Sequence, residues 1–424
     1  MGIIGKLTAD VAIPPMLTIR QIFDDSTITD LPAAVRAEFD RAGAAHGLRP
    51  GMSIAVGVGS RGVAELPVIV RATIDAIKAQ GALPFIVPAM GSHGGATAEG
   101  QEKLLAGLGV TADSMGCELR SSMEVDQIGT LPNGLPVFMD RIARQADGIV
   151  VINRIKPHTS FSAELESGLC KMITIGLGKQ RGAESCHAMG MGLMGQNVRD
   201  MAALSLSREK VLFGIATVEN AYDRPCHIEL VPADHLLTRE PELLDIARKR
   251  MPRILLNPLD VLLIERMGKE YSGTGMDPNI TGRASTPHMR TSQVVGKLAV
   301  LELTGKSGGN ANGVGLADVC TQRLFDKIDY DATYANCITS TILASARIPV
   351  IAATDREALQ LAIKTCNAAD PAAPRIAWLT DTLHLETIRV SPALLPEARE
   401  NPQIEVLGDP SPPAFDDHGN LRIG

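Results

Sequence analysis

The chain has 424 residues, room for two domains or three, and its 45% apolar and 21% charged residues provide for a large core and exclude wholesale disorder. A net charge of −7 with only 3% aromatics argues against a nucleic-acid partner, which calls for a clustered basic face or base-stacking rings. No apolar run approaches the roughly 18 residues of a membrane helix. The opening, MGIIGKLTADVAIPP, lacks the apolar core and cleavage site of a signal peptide. Seven Cys without CxxC pairing fit reduced thiols better than a disulfide framework or zinc ribbon, so a cytoplasmic protein without a membrane partner is expected.

In chain order, 53–58 (SIAVGV) reads as a buried strand leading into the loop Gly59-Ser60-Arg61-Gly62. A helix follows to about Gln80, with Leu66, Ile69, Val70, Thr73, Ile74 and Ile77 on one face and Gly81 as its stop. A second strand, 83–88 (LPFIVP), runs into Met90-Gly91-Ser92-His93-Gly94-Gly95, after which Thr97 can cap a helix with Glu99 in its first turn. A third, 147–152 (DGIVVI), ends in Asn153-Arg154-Ile155-Lys156-Pro157-His158. Strands alternating with amphipathic helices predict an α/β fold with a mainly parallel sheet, in which ligands gather beyond the carboxyl ends of the strands. Those ends carry Arg61, His93 and His158.

Further strands are expected at 211–217, 260–264 and 297–303, and 240–253 is charged and helical in pattern. With Pro252 and Pro258 it reads as a hinge. The expected architecture is therefore two α/β domains, 1–252 and 253–400, with mainly parallel sheets and an active-site cleft between them. A Pro-rich tail, 401–424, would pack on the surface.

The segment Gly57-Val58-Gly59-Ser60-Arg61-Gly62 fits G-x-G-x-x-G between strand and helix, but the acidic residue expected about 20 positions on is missing. Arg61 within it suggests recognition of a carboxylate or phosphate; a tight turn with a solvated Arg is the bland alternative. His93 and His158 are two of nine His, placed at successive strand ends, and suit general acid–base work near neutral pH. Lys171 stands among apolar neighbours in Ser167-Gly-Leu-Cys-Lys-Met-Ile-Thr-Ile-Gly-Leu-Gly178, where desolvation would make its amine a nucleophile or covalent tether; a lysine snorkelling to water is the alternative. His187, in AESCHAMG, reads as a core residue or a soft-metal ligand, and Cys170 and Cys186 as small buried hydrophobes. No HExxH or P-loop motif occurs, which leaves zinc hydrolysis and P-loop phosphoryl transfer unsupported.

Taken in order, Arg61, Gly91-Ser92-His93-Gly94, Pro157-His158, Ser167-Gly168, Lys171 and His187 resemble the nickel-pincer-nucleotide lactate racemase family over most of the first 200 residues. The resemblance implies an isomerase, a racemase or epimerase of a 2-hydroxy acid. Its cofactor would be nickel held by a pyridinium-3-thioamide-5-thiocarboxylate mononucleotide, tethered at Lys171, with His187 completing the metal coordination. His93 and His158 would be bases on opposite substrate faces, and Arg61 would hold the carboxylate. Racemisation would proceed by transient hydride transfer to the cofactor, which avoids a carbanion at a poorly acidic carbon. The implied partners are the small-molecule substrate and the cofactor-making enzymes, while a homo-oligomer is left open.

The family's Tyr-Gln-x-x-Lys segment has no counterpart after Asp277-Pro278-Asn279, and Val58 stands where an acidic residue would precede the Arg by three. Those family residues lie on the substrate side, so the resemblance implies a substrate other than lactate, a larger or more polar 2-hydroxy acid or a sugar-like polyol. In the second domain, Lys269 and Arg283 are candidates to close over substrate, against a solvated glycine-rich loop as the alternative. Two other readings stay open at the level of sequence, an NAD(P)-dependent oxidoreductase and a non-catalytic module that binds a hydroxy acid or nucleotide.

Overall fold

The computed structural model of the chain describes residues 2–59 and 62–421. Its contacts divide it into Asp24–Met251 and a second unit assembled from Met1–Phe23 and Pro252–Gly424.

The unit Asp24–Met251 is built on a five-stranded sheet in the order Leu83–Pro88, Ser53–Val58, Gly148–Arg154, Val211–Glu219, Pro225–Pro232. The first four strands are parallel and the last is antiparallel. Such strands are near-continuous apolar runs because helices cover both faces. On one face, helix Leu66–Ala79 turns the predicted side chains Ile69, Val70, Ile74 and Ile77 onto Ile54, Val56 and Ile86. Each fully buried aliphatic side chain of this kind contributes about 1.5–3 kcal/mol. The helix stops at Gly81, which takes φ +76°. The opposite face is covered by the segment Leu169–Leu177 and by helix Leu236–Arg250. There Leu177 packs toward Gly57 and Leu169 toward Gly214. Thr97 caps helix Ala98–Gly107 by accepting from the Gly100 N–H, as its sequence predicts.

The second unit holds an eight-stranded mixed sheet in the order Val350–Ala352, Val319–Thr321, Val295–Leu303, Leu259–Met267, Ile376–Leu379, Thr387–Val390, Met16–Gln21, Ile404–Ser411. The first five run parallel and the last three antiparallel. Two details differ from the expectation drawn from sequence. Residues 1–23 belong to this unit, because strand Met16–Gln21 buries Leu17 and Ile19 in its core. The segment expected to be a surface tail instead supplies the edge strand Ile404–Ser411, paired antiparallel with Met16–Gln21. Its Pro410 disguises it in the sequence, yet an edge strand tolerates Pro because one row of its N–H groups needs no ladder partner. Among the described residues no helix is long and apolar enough to cross a membrane.

Candidate active site

Strands Leu83–Pro88, Ser53–Val58 and Gly148–Arg154 end on the same side of their sheet, and the loops leaving the outer two carry His93 and His158. Neighbouring strands lie about 4.8 Å apart, so the two strand ends that launch these loops stand about 10 Å from each other. Arg61, in the loop after the middle strand, lies outside the described residues.

The His158 loop is held by a buried acid. The Glu166 carboxylate accepts the N–H of His158 at 2.6 Å and that of Ala163 at 3.0 Å, and pairs with Arg248 at 2.7 Å. These bonds fold 158–166 back on itself and fix the backbone from which the imidazole projects. The ring lies against Phe161 with centroids 4.4 Å apart, and its Nδ1 accepts from the Ser160 N–H at 3.1 Å. A nitrogen that accepts carries no proton, so the neutral ring bears its hydrogen on Nε2. Burial, reinforced by the charges of Lys171, Lys156 and His187, holds this imidazole well below its ordinary value of 6.5.

The His93 loop is anchored through its backbone. Gly91 donates to Gly176 O at 3.2 Å, and the buried Gln101 amide donates to Gly91 O at 2.8 Å and His93 O at 3.3 Å. The side chain of His93 itself is exposed.

Lys171 and His187 lie at the two ends of an irregular helical strip. Helix Leu169–Lys171 widens into a π-turn, Met172–Gly176, and helix Lys179–His187 follows. Local π-turns inside helices are frequent at functional sites. Re-entry into the second helix brings its first turn against the carbonyl of Thr174. A Cβ at Gly178 would stand 2.1 Å from that oxygen and one at Gly182 2.7 Å, so both positions require glycine. The strip's underside rests on Glu240, whose Oε2 accepts the Cys170 N–H at 2.8 Å.

The electrostatics tie three predicted residues together. Lys171 keeps part of its surface accessible, but its surroundings are dense enough that desolvation lowers the amine from 10.5 to about 8, against the opposing influence of Cys186 and Glu166. His187 is likewise lowered by burial and by the Lys171 charge, while its bond to Ala183 opposes the shift. The charges of Lys171 and His187 both act on His158. The His187 tautomer is also determined. Its Nδ1 is 2.6 Å from Ala183 O, and a carbonyl can only accept, so Nδ1 carries the hydrogen and Nε2 keeps its lone pair. Cys170 and Cys186 are buried, and desolvation raises both thiols, Cys186 to about 12, in keeping with inert core residues. Among the described residues no group of three His, Cys, Asp or Glu is arranged to hold a metal ion by itself.

Residues 49–198, which contain all of these loops and the strip, match the family described as the lactate racemase N-terminal domain. The segment belongs to that family. The whole chain is similar in structure to the lactate racemase apoprotein from Thermoanaerobacterium thermosaccharolyticum, with a TM-score of 0.53 and 15% identity over 86% of this chain and 98% of that one. At that identity the likeness establishes the fold, two α/β units with mixed, mainly parallel sheets. No curated protein matches the sequence significantly.

Within the lactate racemase N-terminal domain, the structure brings Lys171, His187 and His158 into one electrostatic neighbourhood and hangs the His93 loop on the same strip. The two cations predicted for the other unit are engaged locally. Lys269 donates to Gly273 O at 2.6 Å and to Asn336, and Arg283 pairs with Asp318 at 2.6 Å while donating to Gly296 O at 2.8 Å. Sequence reading missed the buried polar residues beneath the lactate racemase N-terminal domain's loops: Gln101, Asp140, Glu166, Lys179 and, outside the matched segment, Glu240. Of these only Glu240 carries a usable signal, since it occupies the first position of an inward i, i+3, i+4, i+7 stripe with Leu243, Leu244 and Ala247.

Proposed function

We propose that the chain is a racemase or epimerase of a 2-hydroxy acid other than lactate, working with a nickel-pincer nucleotide tethered to Lys171. The observation that carries this reading is the pairing on one strip of an amine lowered to about 8 with an imidazole whose Nδ1–H is committed to a backbone carbonyl. Such an amine is neutral in about a tenth of molecules at pH 7, far more than an ordinary lysine, and can take a covalent bond. An imidazole held by its Nδ1–H offers Nε2 to a metal, in the orientation that metal-ligating histidines adopt. The donor set therefore fits a covalently anchored group that brings most of its own metal ligands, because the chain supplies one imidazole and no three-residue metal cluster among the described residues. When bound, such a group would supply a hydride acceptor for the substrate's α-carbon.

The chain's own residues handle substrate and protons. His93 and His158 exchange the hydroxyl proton as the carbinol becomes a planar ketone, and a proton-handling group on each side allows return to either face. His158 takes up that proton at Nε2 in the tautomer that carries its hydrogen on Nδ1, which gives up the bond from the Ser160 N–H. Arg61 would orient the carboxylate. The family match to 49–198 and the fold likeness support the racemase class. The departures at Val58 and at 277–283 support a substrate other than lactate.

Co-expression with the cofactor-making enzymes, followed by intact-protein mass spectrometry, elemental analysis and chiral chromatography of a panel of 2-hydroxy acids, tests the reading. A mass adduct absent from Lys171→Ala, nickel lost from His187→Ala and interconversion of at least one enantiomer pair are expected. An adduct that survives in Lys171→Ala, or nickel unchanged in His187→Ala, would overturn it. A dinucleotide removed by dialysis in place of the adduct would favour an oxidoreductase.

A further inference from the structure

A second lysine lies eight residues beyond Lys171 and is wholly removed from solvent. Lys179 begins helix Lys179–His187 with φ +55°, a conformation that a bulky residue rarely adopts unless its surroundings impose it. Its side chain and that of Asp140 are both 0% exposed, and the two charges are 3.3 Å apart. The ammonium also donates to Pro88 O, the last residue of the strand before the His93 loop, and to Gln101 Oε1 at 3.2 Å. The ammonium thus donates two hydrogen bonds, and the Asp140 carboxylate balances its charge.

The Gln101 contact is the informative one. Because Oε1 faces the ammonium, the amide nitrogen is forced toward the carbonyls of Gly91 and His93, to which it donates. Lys179 also sits on the strip that ends in His187, and Gly176 of the same strip takes the Gly91 N–H. A buried cation could be replaced by apolar packing with little loss of stability, so stability alone does not account for an ammonium here.

We infer that Lys179 and Gln101 are positioning residues: the buried ammonium orients the Gln101 amide, which locks the loop presenting His93 onto the strip that bears Lys171 and His187. The consequence for turnover rests on the racemase reading above, whereas the consequence for loop order does not.

The variants are Gln101→Met, close in shape but unable to donate, and Gln101→Glu, which keeps an acceptor for Lys179 but loses the two donors. Lys179→Met leaves Asp140 buried without its partner and is made together with Asp140→Leu. Amide exchange measured by mass spectrometry on the apoprotein should show the peptide covering 89–97 exchanging about tenfold faster in both Gln101 variants, with 169–187 unchanged. In cofactor-loaded protein the adduct on Lys171 should persist while kcat falls about tenfold to a hundredfold and KM shifts less than about threefold. Gln101→Glu separates positioning from stability: a structural role predicts a normal enzyme, since the new carboxylate pairs with Lys179, and a positioning role predicts a stable but slow one. Unchanged exchange of 89–97 in all variants, or full kcat in Gln101→Glu, overturns the inference. Absence of any racemase activity from the loaded wild-type chain would count against the proposed function, and the exchange result would still decide the loop.

Discussion

Glu240 provides a sharp test of how the lysine strip is supported. It is 1% exposed, its Oε2 accepts the Cys170 N–H, and its Oε1 has no hydrogen-bond partner among the described residues. Burial raises the carboxyl from 4.5 to about 7, against the opposing N–H bonds of Cys170 and Leu169. Between pH 4.5 and 7 the native chain keeps a proton that the unfolded chain has released. The unfolded state then binds fewer protons, so stability falls as pH rises through this window. Two and a half units at about 1.36 kcal/mol each come to about 3 kcal/mol, lost by pH 7 and constant above it. Glu240→Gln keeps a neutral side chain of the same shape and cannot ionise. It should match the parent near pH 4.5 and exceed it by about 3 kcal/mol at pH 8. The sole tryptophan, Trp378, belongs to the other unit, so its fluorescence does not report on this region. Protection factors of amides in 165–178, measured by hydrogen exchange at pH 5 and pH 8, do. A Gln-minus-Glu difference that stays the same at both pH values would refute the reasoning.

Lys171 should react with an amine-directed acylating reagent along a titration curve centred at about 8, well below 10.5, when followed by peptide mass spectrometry; a midpoint above 10 would contradict its desolvation. In the apoprotein, nitrogen NMR of His158 should show a neutral Nε2–H tautomer persisting as pH falls through 6.5, since burial and Lys171 both disfavour the cation, and an imidazolium at pH 6.5 would be the opposing result. Glu166→Gln keeps one acceptor but gives up the other and the ion pair with Arg248, so peptides within 157–166 should lose about 1–3 kcal/mol of exchange protection. Unaltered protection there would mean that other contacts hold the His158 loop.

The parts legible from sequence are those written in periodicity. Helix Leu66–Ala79 shows its inner face through Ile69, Val70, Ile74 and Ile77, and the parallel strands are short apolar runs closed by Gly and Pro. The histidine loops followed from the strands, because the chain after a parallel strand emerges on the ligand-binding side. The supporting residues were illegible for a physical reason: a buried polar side chain is licensed by partners distant in sequence. Glu240 lies in a charged segment whose stripe with Leu243, Leu244 and Ala247 hints at an inward face, but its partner, the Cys170 N–H, is 70 residues away and only the fold shows it. Lys179 drew no notice in the sequence, and its partners Asp140, Pro88 and Gln101 come from three distant segments. Conversely, Lys269 and Arg283 looked available from their glycine-rich surroundings, and the fold gives them local acceptors. Strand Ile404–Ser411 was concealed by prolines that an edge position tolerates.

The spacing of Lys171 and His187 explains why this strip is irregular. In an uninterrupted α-helix, sixteen residues would separate the two by about 24 Å, too far to grip one small group. Yet the Lys171 charge reaches His187, and both reach His158. The widened turn at Met172–Gly176 and the left-handed φ of Lys179 end the first helical direction, and Gly178 and Gly182 let the second helix approach the Thr174 carbonyl. The proposed function needs this break: without it, a tether at Lys171 and a metal ligand at His187 would point to different places. A strained first residue persists only if its side chain is held, and the buried contacts of Lys179 with Asp140, Pro88 and Gln101 supply that hold. The ammonium that holds the bend thus also reaches, through Gln101, the backbone of the His93 loop.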